Sequence, residues 1–174
     1  MSRTYVSIWN KGSRVAGPIA SGHMLVALAF KFTASGKIVG FSYLRDGNDG
    51  ENHYAFLLHQ LSNLTVRIEA SCSFVRKLPP PGGTPFWERK YIRPWLPVVV
   101  GDLYELVVHF GNGKYSNMIA ARSPDPDVIA GPITVPGAAS GVTNGITATT
   151  LTFLPGTSLG GAKPALDVLF RPDA

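Results

Sequence analysis

Residues 64–74 alternate without interruption: Leu64, Val66, Ile68, Ala70, Cys72 and Phe74 interleave with Thr65, Arg67, Glu69, Ser71 and Ser73. Successive side chains of a strand point to opposite sides, so a run of this length and period specifies a strand with one dry and one wet face. Cys72 falls on the dry face and reads as a core thiol rather than a nucleophile. The same pattern recurs at Met24, Val26, Leu28, Phe30 and Phe32, and again at Tyr104, Leu106, Val108 and Phe110. Short strands also fit residues 37–44, 149–153 and 165–170. Residues 54–61 suit a strand or a helix, because Tyr54, Leu57, Leu58 and Leu61 keep helical spacing as well.

Turn chemistry separates these runs. Asp46-Gly47, Asp49-Gly50, Asn112-Gly113 and Asn144-Gly145 are pairs that tolerate positive φ in tight turns. The 19 glycines and 14 prolines are spread along the 174 residues, so they punctuate strands and do not form a low-complexity tail. Many short strands, and no long capped helix, make the chain all-β: a single antiparallel β-sandwich. Residues 1–21 stand apart, because Ile8 and Trp9 are followed by Gly12, Gly17 and Pro18. We read 1–21 as an N-terminal arm or edge segment and 22–174 as the sandwich domain. Ile8 and Trp9 are then expected to be contact groups for a partner.

Composition narrows the function. Hydrophobic residues make up 45% and charged residues 16%, which excludes disorder and points to surface covered by other molecules. The net charge of +5 is dispersed apart from Arg76, Lys77, Arg89, Lys90 and Arg93, so no nucleic-acid partner is expected. One cysteine allows no intrachain disulfide and no cysteine-based zinc site. The longest apolar stretch, residues 24–30, is too short for a membrane span, and Lys11 interrupts the start before a signal peptide could form.

No constellation makes a convincing active site. Gly156-Thr157-Ser158-Leu159-Gly160 matches a nucleophile elbow, yet no histidine follows it and Gly161 and Pro164 spoil the helix it needs. The 11 carboxylates offer no acid/base pair. Asp46, Asn48, Asp49 and Glu51 are rich in oxygen, but Gly50 stands where a calcium ligand is needed, so a plain turn is the better reading. His23, His53, His59 and His109 share no metal-ligand spacing. Asn63-Leu64-Thr65 is a sequon that runs into the clearest strand, and we set it aside. We therefore expect no enzyme, no metal and no cofactor.

Residues 86–95 interleave aromatics with cations: Phe86, Trp87, Tyr91 and Trp95 with Arg89, Lys90 and Arg93. Such a segment can stack on sugar rings or on a partner protein. Trp87, Tyr91 and Arg93, beside the proline loop of residues 79–85, stay open between a contact surface and core packing.

Further stretches carry a likeness to a known family. Phe30-Lys31-Phe32 leads through Gly36 into Gly40-Phe41-Ser42-Tyr43-Leu44, and His53 opens the next strand. Trp95 precedes Pro97-Val98, then Gly101-Asp102-Leu103-Tyr104 runs into Gly111-Asn112-Gly113-Lys114-Tyr115. Gly131-Pro132-Ile133, Asn144-Gly145, Phe153-Leu154-Pro155 and residues 164–170 complete the set. In order and spacing, residues 24–170 resemble a β-sandwich domain of unknown function. It is found in minor tail proteins of phages infecting actinobacteria and in bacterial secreted, carbohydrate-associated proteins. The proline loop and the first twenty residues are additions to that pattern.

The resemblance implies a jelly-roll-like sandwich without established catalytic residues, and it assigns Trp95 to the core, where the family packs an aromatic. It implies a structural component of a phage virion, such as a minor tail or tail-tip protein, made in the host cytoplasm. Other virion proteins, copies of itself and a host cell-surface glycan would be its partners. The alternative it implies is a carbohydrate-binding module that recognises cell-surface glycans.

Overall fold

A computed structural model describes residues 5–9, 18–20, 24–61, 65–75, 83–110, 114–119, 127–137, 146–148, 157–158 and 163–174. For 18–20, 24, 114–119, 146–148 and 157–158 the description is of the backbone. Every named element is a strand. In order these are β1 (Pro18–Ala20), β2 (Met24–Phe32), β3 (Gly36–Arg45), β4 (His53–Gln60), β5 (Val66–Phe74), β6 (Phe86–Pro97) and β7 (Leu103–Phe110). Then follow β8 (Lys114–Ile119), β9 (Val128–Ala130), β10 (Ile133–Val135), β11 (Ile146–Ala148), β12 (Thr157–Ser158), β13 (Lys163–Pro164) and β14 (Leu166–Pro172). Among the described residues no helix is long and apolar enough to cross a membrane.

Two antiparallel sheets pack face to face. One runs β12-β11-β2-β7-β4-β5, with the β9–β10 hairpin on β2; the other runs β14-β3-β6. A small β1-β8-β13 ribbon continues into the second sheet, because β13 turns through Ala165 directly into β14. Successive strands hop between layers, β2 to β3 to β4 and β5 to β6 to β7, which is how a jelly roll winds. The expected jelly-roll-like antiparallel sandwich is what the chain forms.

The core follows from alternation. Val26, Leu28, Phe30 and Phe32 of β2 and Tyr104, Leu106, Val108 and Phe110 of β7 meet Ile38, Phe41 and Tyr43 of β3 and Val168 and Phe170 of β14 in one buried cluster. Phe32 and Phe170 touch across the sheets with ring centroids 4.5 Å apart. Each fully buried phenylalanine contributes about 1.5–3 kcal/mol, so this double row of rings dominates the fold. The ambiguous residues 54–61 form β4, which lies between β7 and β5 and buries apolar groups on both faces. Burial of both faces erases alternation, and that is why its sequence imitates a helix.

One expectation is corrected. Residues 64–74 do not keep a single dry face, because a bulge at Glu69 shifts the register: Leu57 pairs Ala70, but Leu58 pairs Ile68. A bulge flips everything beyond it to the other face. Ala70, Cys72 and Phe74 therefore face the core, while Val66 packs with Leu25, Ala27, Phe56, Leu58 and Val107 on the opposite side. Ile68 is exposed. Leu64 and residues 149–153 lie outside the described residues, as do Asn112-Gly113 and Asn144-Gly145.

Of the two readings of residues 1–21, arm or edge segment, the described part fits the second. Residues 5–9 lie against their own domain as an edge segment and not as a free arm. Val6 and Phe170 exchange backbone hydrogen bonds of 2.7 and 2.9 Å. Ile8 N–H donates to Asp167 Oδ1 at 2.8 Å, and the Trp9 indole N–H donates to the Leu166 carbonyl at 2.6 Å. Ile8 and Trp9 are buried in the main core cluster. Removing two large apolar groups from water outweighs the looseness of the glycines that follow. They are core groups in this chain, not exposed contact groups.

Candidate functional site

Strand β6 builds the surface of interest. Its register places Trp87 opposite Leu44, Arg89 opposite Ser42, Tyr91 opposite Gly40 and Pro97 opposite Lys37. Cross-strand partners share a face, so Trp87, Arg89, Tyr91, Arg93 and Trp95 line the outer face of the β14-β3-β6 sheet, whose Trp87 end packs on the buried cluster while Arg89, Tyr91 and Arg93 are exposed. On β14, Arg171 pairs Lys37 and joins the same face. Gly40 keeps the middle of this face low. A Cβ there would run into the Lys90 carbonyl, where a bulge lets β6 approach β3.

At one end of the face stand Tyr5, Arg89 and Tyr91. Arg89 donates to the Tyr5 hydroxyl at 2.8 Å and lies over its ring. The Tyr5 and Tyr91 rings meet edge to face with centroids 6.5 Å apart. The Tyr91 hydroxyl and partial burial raise the Tyr5 pKa, against the pull of Arg89. Tyr91 is 57% exposed, so its ring is open to a partner.

At the other end Trp95 lies beneath two cations. The Arg93 guanidinium is 4.5 Å and the Arg171 guanidinium 5.2 Å from its ring centroid. A cleft of about 190 Å3 opens there, lined by Lys37, Trp95, Arg171, Pro172, Asp173 and Ala174. Among the described residues Lys37, Arg93 and Arg171 form no ion pair.

The structure thus brings Trp87, Tyr91 and Arg93 onto one face, as an interleaved strand requires. The two tryptophans, both half-buried, differ in their surroundings. Trp87, the open candidate, is half-buried and packs against the core cluster, whereas Trp95, assigned to the core, sits in the cationic cleft. Residues 76–82 of the proline loop lie outside the described residues. Sequence reasoning missed Tyr5, Lys37 and Arg171. Arg171 was within reach, since it follows the inward Phe170 by one position and alternation turns it outward.

Two other polar clusters serve the fold. Arg45 is fully buried, donates from Nε to Glu88 Oε2 at 2.6 Å, and reaches the carbonyls of Asp49 and Glu51 at 3.1 and 2.7 Å. Asp49 accepts from the Glu51 amide and contacts the His53 ring. Burial opposes its ionisation, but the His53 and Glu51 hydrogen bonds and the Arg45 charge hold its pKa below the usual carboxylate range. Asp46 caps the Asn48 amide. The Asp46 and Asp49 carboxylates accept hydrogen bonds within the turn, and the Arg45 guanidinium lies 3.7 Å from Asp49 Oδ1. Among the described residues no three His, Cys, Asp or Glu side chains converge as a metal site.

On the core face of β4, His59 stacks on Tyr104 and contacts Glu69 at 2.9 Å and Asp102 at 2.8 Å. With a carboxylate at each ring nitrogen, this group links the β5 bulge to the β6–β7 turn. Cys72 is half-buried, and burial pushes its pKa up to about 11, which leaves the thiol inert at neutral pH. The side chains of the Gly156–Gly160 motif lie outside the described residues.

No protein-family model and no curated protein matches the sequence.

Proposed function

We propose that the chain is a non-enzymatic structural module of a phage virion, in a minor tail or tail-tip position, whose outer β14-β3-β6 face contributes to attachment at the host surface. The family likeness of residues 24–170 and the jelly-roll winding support the structural half of this reading. One observation carries the attachment half: a single sheet face presents an open tyrosine, three cations without ion pairs among the described residues, and a tryptophan held in a cleft. Aromatic and arginine side chains offer much contact area for little rotamer cost, which is the composition of contact hot spots. The concealed Ile8 and Trp9 leave this face as the better contact candidate. Copies of the chain and other virion proteins are its proposed neighbours.

Mass spectrometry of purified particles tests the first half, and absence of the chain from particles would refute it. Binding of the fluorescently labelled chain to host cells tests the second. Tyr91→Ala combined with Arg93→Ala should weaken attachment by about 2 kcal/mol, the scale of a hot-spot loss, with an unchanged melting temperature. Undiminished attachment would refute the assignment of this face. The carbohydrate-binding module is the second reading, favoured by the cleft at Trp95, and it predicts cell binding without particle association.

A further inference from the structure

We infer that the cleft beside Trp95 receives an oxyanion carried on a sugar, the phosphate or carboxylate of an anionic surface polysaccharide. This deepens the attachment reading and rests on it. Three cations converge on one short stretch of the outer face: Lys37 on β3, Arg93 on β6 and Arg171 on β14. None of them is paired with a carboxylate among the described residues, so their charge is available to a ligand. Elsewhere a fully buried guanidinium is matched by carboxylates: Arg45 is paired with Glu88 and Asp49. Lys37 and Arg171 line the cleft and Arg93 lies over its Trp95 wall, which together make an electrostatic invitation to an anion.

Trp95 gives the invitation a shape. Both guanidiniums lie over its ring, and a planar cation stacked on an aromatic loses less freedom when it forms a bidentate bond to a carboxylate or phosphate. The cleft, about 190 Å3, is smaller than the roughly 300–1,000 Å3 of a drug-sized pocket. It suits one charged group and part of the ring that bears it.

Two neighbours argue for a sugar and against a nucleic acid. Asp173 lines the same cleft. Its carboxylate can accept a hydrogen bond from a hydroxyl of the sugar that bears the oxyanion. Guanidiniums occupy the Trp95 ring, which leaves the exposed Tyr91 as the open aromatic of this face, whereas single-stranded nucleic acids are held on successive stacking platforms. One open ring next to an oxyanion site fits an alternation of charged and neutral sugar units.

The test uses the full chain and defined probes: glucose 6-phosphate, glucuronate, inorganic phosphate, glucose and an oligothymidylate, each titrated by calorimetry at low salt. Glucose 6-phosphate or glucuronate should bind at least about tenfold more tightly than glucose, the scale of one charge-assisted contact. Whichever of the two binds better separates a phosphate-bearing polymer from a uronate-bearing one. Arg93→Ala and Arg171→Ala should each weaken that binding by about tenfold, and Lys37→Gln by somewhat less, with melting temperatures unchanged because these side chains are exposed. The inference is overturned if neither sugar acid binds, if glucose binds as well, or if the Arg93→Ala/Arg171→Ala double variant binds normally. It is overturned as well if inorganic phosphate equals glucose 6-phosphate or the oligothymidylate binds more tightly. If the chain attaches to cells yet binds no sugar acid, the ligand class fails and the attachment reading stands. If it binds a sugar acid through these residues yet attaches to no cell, the cleft stands and the attachment reading fails.

Discussion

Glu105 should make the fold less stable as pH rises through neutrality. It lies on β7 opposite Ala29 of β2 and Leu58 of β4, on the outer side of the large sheet, and is 5% exposed. Burial alone moves its pKa from 4.5 to about 7. In that window the native state holds a proton that the unfolded chain has released. Stability therefore declines as pH rises above the unfolded value and levels off above the folded one. At about 1.36 kcal/mol per unit, the gap amounts to about 3 kcal/mol of lost stability at pH 8 relative to pH 4. Glu105→Gln keeps the shape and removes the charge. The variant should fall slightly below the parent chain near pH 4, by the cost of burying the amide, and exceed it by about 2–3 kcal/mol at pH 8. In a domain of this size that is a rise of about 4–12 °C in melting temperature. Urea denaturation of both proteins from pH 4 to pH 8 measures the difference. Parallel stability curves, with no divergence around neutrality, would refute the reasoning and show that Glu105 finds water or a cation in solution.

Other substitutions probe the remaining clusters. Arg45→Ala should cost about 3–5 kcal/mol, because it leaves Glu88 buried beside an empty site; a loss below 1 kcal/mol in chemical denaturation would show that the pair is solvated. Trp9→Ala should cost about 3–5 kcal/mol, as removal of a buried tryptophan does. An unchanged melting temperature would instead restore the free-arm picture of residues 1–21. Cys72 should react with a maleimide at pH 8 about a hundredfold more slowly in the native chain than in denaturant, from its raised pKa alone. Equal rates would place the thiol on the wet side of β5.

Alternation alone determined a great deal about this protein. Val26 to Phe32 and Tyr104 to Phe110 announced two core strands and hence the all-β class, because a period of two follows from the pleat of any strand and needs no knowledge of its neighbours. Composition and order of the 86–97 segment likewise marked one strand face on which Trp87, Tyr91 and Arg93 would lie together. Tertiary structure decided the rest, in each case through a contact distant in sequence. Pairing with Leu57 and Leu58 introduced the bulge at Glu69 and turned Val66 and Ile68 away from Cys72. Docking on Leu166 and Asp167, nearly the whole chain away, converted Ile8 and Trp9 from contact groups into core. The difference in surroundings between Trp87 and Trp95 has the same origin. Two tryptophans on one face of one strand look alike in sequence, and only the neighbouring strands decide their surroundings. Trp87 lies opposite Leu44 and packs against the buried cluster, while Trp95 meets Arg171 arriving on β14 and stays at the rim. Local periodicity sets which face a side chain takes; what covers that face is set by segments that only folding brings near.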